Sequence, residues 1–168
     1  DDLDDDFAEI VEDENLTDEQ QQKLIKNYAT EMEVIKRDDR LETIAKDIVY
    51  HFPRRGYKGK GMVISIDKFT AVKMYNKVQY HWKEEMKRLQ KQINNTQNFI
   101  EANELKEILK YMQTVEMAVV ISEEAGEEEK FKRVNLDITP HRNKMKDLDD
   151  EGHDLEYKYK DSKDNLQL

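Results

Sequence analysis

The chain has 168 residues, 37% of them hydrophobic and 39% charged, with a net charge of −10 and no cysteine. That length allows one ordinary domain with a modest core under a large solvated surface. The missing cysteines exclude disulfides and thiolate zinc sites and suit a reducing cytoplasm, and no apolar run approaches the ~20 residues of a membrane span.

The acidity is concentrated at the start. Residues 1 to 20 hold eleven acids and no Lys or Arg. Taking those eleven charges out of the total of −10 leaves the rest of the chain one positive charge over neutral. Residues 1–16 are therefore read as an acidic, disordered lead-in. The body, residues 17–168, neither demands nor excludes a polyanionic partner on charge alone. The chain starts inside the acidic run and stops at "DNLQL", which reads as a piece of a longer protein.

Thr17 followed by Gln20 predicts a capping-box helix start, and Ile25, Tyr28, Met32 and Ile35 continue at helical spacing. A second helix is expected from about Asp39 to Phe52, with Leu41, Ile44, Ala45, Ile48 and Phe52 on one face and Pro53 as its stop. "RRGYKGKG", Arg54 to Gly61, reads as a loop. "MVISI", Met62 to Ile66, is a short apolar run of the kind buried on both faces in a parallel sheet. A long helix follows, with Phe69, Val72, Tyr75, Val78, Trp82, Met86, Leu89 and Ile93 on its stripe, broken at Asn94, Asn95 and Thr96. Leu105, Ile108, Leu109 and Met112 mark another helix. "MAVVI", Met117 to Ile121, reads as a second buried strand, and "SEEAGEEEK" as a solvated loop. Val134, Leu136 and Ile138 alternate weakly, as in a strand. Pro140 opens a further helix, and "LEYKYK" continues or restarts it.

Strand, helical crossover, strand is βαβ logic, so the expected fold class is α/β with a short parallel sheet. The crossover is long and implies a helical excursion over about residues 80–114.

The glycine loop does not match a nucleotide site. Phosphate-gripping loops follow a strand and open a helix. Here Gly56, Gly59 and Gly61 precede the strand-like run, and G-x-x-x-x-G-K-[ST] is absent. Ligands of open α/β sheets meet the carboxyl ends of strands. That turns attention to Ser65, Asp67, Lys68 and Thr70 after "MVISI". A phosphate or partner contact is one reading of these four residues. Pattern alone favours the plainer one, in which Asp67 caps the helix. "ITPHR" places His141 and Arg142 at a turn before a helix, again either an anion contact or a solvated turn. Glu-x-Lys occurs at Glu85/Lys87, Glu104/Lys106, Glu128/Lys130 and Glu156/Lys158, as often as chance gives in so charged a chain. No histidines pair at i, i+4, so no metal site is argued. Tyr75 and Trp82 read as core. No catalytic residue is assigned.

The stretches "IAKDIVYHFPRRGYKGKGMVISIDKFTAVKMYNKV", "MAVVISEE", "FKRVNLDITPHRNKM" and "EYKYKDSKDNLQL" together resemble the restriction (R, motor) subunit of type I restriction-modification enzymes. The resemblance spans nearly the whole chain. It is most specific in the "IAKDIV" to "DKFTAVKMY" block and in "LDITPHR". It implies the first part of a second RecA-like (P-loop NTPase-type) motor domain with a long helical insertion. Such a subunit couples ATP hydrolysis to duplex DNA translocation and cleaves DNA far from its recognition site. It works in the cytoplasm with methylation and specificity subunits. On this resemblance "MVISIDKFTAVKMY" lies where superfamily 2 helicases carry motif IV. Ser65, Asp67, Lys68 and Thr70 then lie near the DNA backbone, with Thr139, His141 and Arg142 as second-rank candidates. The family's nuclease residues, nucleotide-gripping loop and arginine-bearing motif do not map onto these residues. ATP and Mg2+ would therefore be bound elsewhere in the full-length subunit, and this piece is expected to be inactive alone. A reading of another class remains open: a helical interaction module that docks a partner subunit without touching DNA.

Overall fold

The computed structural model describes residues 17–146. The acidic lead-in, "LEYKYK" and the final "NLQL" lie outside the described residues. Among these residues six α-helices follow in order: α1 (Asp18–Ile35), α2 (Asp38–His51), α3 (Lys68–Asn95), α4 (Phe99–Thr114), α5 (Glu127–Arg133) and α6 (Thr139–Lys146). A 3₁₀ turn, Phe52–Arg54, ends α2 and holds Pro53.

Local chemistry explains where the helices start. Thr17 and Gln20 close the expected capping box: the Gln20 backbone N–H donates to Thr17 Oγ1 at 3.4 Å, and the Thr17 N–H donates to Gln20 Oε1 at 2.9 Å. Asp67 caps α3 by accepting the Thr70 N–H at 2.6 Å, and Asn98 caps α4 by accepting from Ile100 and Glu101. α5 opens on Gly126 at φ 71°, a left-handed conformation that glycine adopts without strain.

α3 is the spine. Its 28 residues span about 42 Å at 1.5 Å per residue, and two apolar clusters share it. In the first, Met74, Val78, Trp82 and Leu89 of α3 pack against Leu41, Ala45 and Val49 of α2 and Leu109 and Met112 of α4. In the second, Val72 packs with Val119, Phe131 and Ile138. α2 runs beside α3 in the same direction, as successive ion pairs show: Lys77–Asp38 at 3.0 Å, His81–Glu42 at 2.6 Å and Arg54–Glu85 at 2.5 Å. After a short link α4 folds back, and the Trp82 indole N–H donates to the Met112 carbonyl at 3.1 Å.

The expected parallel sheet is not there. Among the described residues no strand forms, so the α/β class and the RecA-like domain with its short sheet are corrected to an all-helical fold. Met62–Ile66 and Met117–Ile121 have no regular secondary structure and no ladder partners among these residues. Both run from the level of Trp82 down to the start of α3, since Phe52 and Met112 flank Trp82 while Asp67 caps α3 and Glu124 meets Lys68. A short apolar run becomes a buried strand only where neighbouring strands satisfy its backbone and cover its side chains. Val119 is buried, whereas Met62 and Ile64 are each 83% exposed.

Two further expectations are revised. "SEEAGEEEK" contains the start of α5. Val134–Ile138, expected as a weak strand, includes the helix stop instead. Asn135 sits at φ 58°, the Leu136 N–H donates to the Phe131 carbonyl at 2.9 Å, and the Asn135 N–H donates to the Lys132 carbonyl at 3.0 Å. This is a Schellman stop.

Leu89 is fully buried while Lys91, two residues on, is exposed. Leu89→Ala is expected to lower stability by about 2–5 kcal/mol, against about 0.5 kcal/mol or less for Lys91→Ala. Urea midpoints at constant slope measure both.

Candidate functional site

The N-terminal end of α3 gathers charge from four directions. Asp67, fixed as the cap, also pairs with Lys36 from the end of α1 at 2.8 Å. Burial alone would raise its carboxyl. Lys36 and the Thr70 N–H outweigh that and hold it below the usual range. One residue on, Lys68 reaches Glu124 at 3.4 Å, and Glu124 also pairs with Lys130. The Glu124 N–H donates to Glu127 Oε2 at 3.3 Å.

Glu127 meets Arg142 in a two-pronged pair, with Nε to Oε1 at 2.5 Å and Nη2 to Oε2 at 2.7 Å. Both residues are buried. The Arg142 guanidinium, against the cost of burial, keeps the Glu127 carboxyl low. Arg142 donates further to the carbonyls of Ile121 at 2.7 Å and Ser122 at 2.8 Å. Lys144 donates to the Met117 carbonyl at 2.9 Å. Two cations of α6 thus satisfy three carbonyls of an extended segment that has no sheet partner.

The candidates therefore fall into distinct settings. Asp67, Lys68, Thr70 and Arg142 belong to one connected network, joined through Glu124 and Glu127. Thr70 is buried, and its N–H is engaged by Asp67. His141 is buried with its ring edge-on to Tyr75 at 4.7 Å. Burial lowers its pKa first, Lys144 adds to that, and Asp137 opposes it. Thr139 is exposed, with its N–H donated to Asp137 Oδ1 at 2.9 Å. Ser65 is half-buried in the extended segment before Asp67.

Glu124, together with Lys36, Glu127 and Lys130, which escaped the sequence reading, completes the network. For Glu127 and Lys130 the signal was present in "GEEEKFKR", a glycine followed by an acidic first turn and a basic last turn, which is the charge pattern of a helix. A cavity of about 330 Å3 lies among them, lined by Lys36, Asp67, Lys68, Glu124, Glu127 and Lys130 with apolar walls that include Phe69 and Phe131. Three lysines face three carboxylates there, so the charges cancel. Among the described residues no group of three or more His, Asp or Glu side chains is placed to hold a metal. Lys68 is the cation with the loosest tie, because its partner Glu124 is exposed and 3.4 Å away. The chemistry on offer is electrostatic: helix ends clamped by ion pairs, with one lysine able to exchange its partner.

A second network joins α2 to α3. Glu42 accepts from His81 at 2.6 Å and Lys77 at 3.1 Å, and these two, His81 first, bring its carboxyl down to about 2.

Removing one partner of the buried pair leaves the other charge stranded. Arg142→Ala is expected to cost about 3–5 kcal/mol, and the double change Arg142→Met with Glu127→Leu clearly less, as read by urea unfolding. For pH, Glu42, Glu127, Asp67 and Glu85 all have lowered carboxyls. Their contribution is full above the ordinary carboxylate pKa of about 4.3 and is lost as pH falls below it. The urea midpoint should therefore fall from about pH 4.5 towards pH 2, with Glu42→Gln removing part of the slope. No protein-family model, no curated protein and no solved structure matches this chain.

Proposed function

We propose that this chain is part of the R, or motor, subunit of a type I restriction-modification enzyme. The full-length subunit would hydrolyse ATP with Mg2+, pull duplex DNA and cleave it away from the recognition site, in the cytoplasm, with methylation and specificity subunits as partners. This piece carries no complete active site of that enzyme.

One observation carries the reading. The sequence blocks with the resemblance lie far apart in the chain, yet they meet in space. "DKFTAVKMY" supplies Val72 and Tyr75, "MAVVISEE" supplies Val119 and the Ile121 and Ser122 carbonyls, and "FKRVNLDITPHR" supplies Phe131, Ile138, His141 and Arg142. Val72, Val119, Phe131 and Ile138 form one buried cluster. Tyr75 touches His141, and Arg142 binds the two carbonyls. Residues that resemble one family and pack on one another form a coherent unit.

Within that unit the DNA backbone contact is best assigned to Lys68, with Ser65 and Thr139 beside exposed chain. Asp67, Thr70, His141 and Arg142 act behind them by fixing the helix ends. The interaction-module reading draws on a different observation: Phe99 and Ile100 are exposed at the tip of the α3–α4 hairpin, where a partner subunit could cover them. The two readings are compatible within one assembly.

The test uses the full-length subunit assembled with its partners. Lys68→Ala should weaken DNA binding, lower DNA-stimulated ATP hydrolysis and reduce the salt slope of binding by about one, with assembly unchanged. An unaltered slope and rate would remove Lys68 from the DNA path. A parent sequence lacking a Gly-Lys-Ser/Thr loop upstream would remove the motor.

A further inference from the structure

The segment after α2 is an unusual surface. Met62, Val63, Ile64 and Ile66 are all exposed in a stretch that has no regular secondary structure and no partner strand among the described residues. The loop before them is fixed in place rather than loose. The Arg55 guanidinium lies over the Phe52 ring at 3.8 Å. Lys58 donates to the Pro53 carbonyl at 2.5 Å and lies 4.4 Å over the Tyr111 ring. Gly61 passes so close to Phe52 that an added Cβ would sit 2.5 Å from a ring carbon. Arg54 is neutralised by Glu85. Among the described residues no carboxylate pairs with Arg55, Lys58 or Lys60. The result is an anchored cationic loop running into an open apolar strip.

A matching segment exists in the same chain. Residues 1–14 carry nine acids and no cation, interleaved with Leu3, Phe7, Ile10 and Val11. We propose that this acidic lead-in docks on the surface made by Arg55–Lys60 and Met62–Ile66. Its carboxylates would face Arg55, Lys58 and Lys60, and its apolar residues would cover Met62 and Ile64.

Charge selects the occupant. A second copy of the strip would bring Lys58 and Lys60 against their own kind, which disfavours self-pairing. An acidic, apolar segment gains on both counts. Reach permits it. The sixteen residues before Thr17 extend up to about 53 Å, and α1 is about 27 Å long. α1 ends beside Asp67, where Lys36 pairs with it. About 26 Å of chain remains there, and Ile66 to Met62 takes about 17 Å.

The chain has no cysteine, so paired thiols report proximity without background. The variant carrying Asp5→Cys and Ile64→Cys should form an intramolecular disulfide on mild oxidation, at a rate independent of protein concentration. Adding Lys58→Glu and Lys60→Glu should slow it by about fivefold, and about 1 M salt, where screening reaches about 3 Å, should slow it too. Leu3→Cys with Val63→Cys is a second pair with the same expectation, should either position disturb folding. Asp5→Cys with Phe99→Cys, at the far end of α3, is the control. Equal rates for the control, indifference to charge reversal, or disulfides only between two chains would overturn the proposal. A duplex oligonucleotide that bound the loop while no disulfide formed would assign the surface to nucleic acid instead.

Discussion

The whole fold depends on α3 starting where it does. The Asp67 carboxylate accepts the Thr70 N–H and holds Lys36, which fixes the first turn of the longest helix and ties α1 to it. From that start the three-and-four spacing of the apolar residues sets two faces. Val72 looks towards α5 and α6, and Val78, Trp82 and Leu89 look towards α2 and α4. Moving the start by one residue would rotate the helix by 100° relative to its neighbours and take the ion pairs to Asp38, Glu42 and Arg54 out of line together. A cap worth about 1 kcal/mol by itself therefore sets the register of contacts worth many times more.

The two extended segments show how a chain meets its backbone requirements without a sheet. Met117–Ser122 uses side chains: Arg142 and Lys144 donate to three of its carbonyls, and Val119 goes into the core. Among the described residues Met62–Ile66 has no such clamp, and its apolar side chains Met62, Val63 and Ile64 are exposed. The difference lies in the element that each segment feeds. "MAVVI" leads into two short helices that fold back over it, while "MVISI" leads straight into α3, which turns its own buried faces elsewhere.

The same physics decides how much of the fold was legible in the sequence. The capping box at Thr17, the stop at Pro53, the long stripe from Phe69 to Ile93 and its break at Asn94–Thr96 are local signals, and each appears as read. Asp67 as a cap was the plainer of two readings and is what the backbone shows. The sheet was a non-local inference. "MVISI" and "MAVVI" have strand composition, but pairing depends on partners that composition cannot supply, and the described chain leaves both unpaired. The Glu127–Arg142 pair, fifteen residues apart, was equally out of reach, because nothing in either local pattern names the other. α5 was within reach, since Gly126 with acids after it and cations behind them is a helix signature that the high charge of the region obscured.

Residue type alone therefore could not rank the candidates for polyanion contact. Arg142 has the chemistry most suited to phosphate, yet its guanidinium already serves both oxygens of Glu127 and two carbonyls. Turning it outward would strand a buried carboxylate and release the segment it clamps. Lys68 has simpler chemistry, and its ion-pair partner Glu124 is exposed and 3.4 Å away. Exchanging Glu124 for a phosphate leaves Glu124 in water with Lys130 still beside it, so the exchange costs little. The capacity of a cation to bind an outside anion is set by what its departure would leave behind, and by that measure Lys68 is freer to exchange its partner than Arg142.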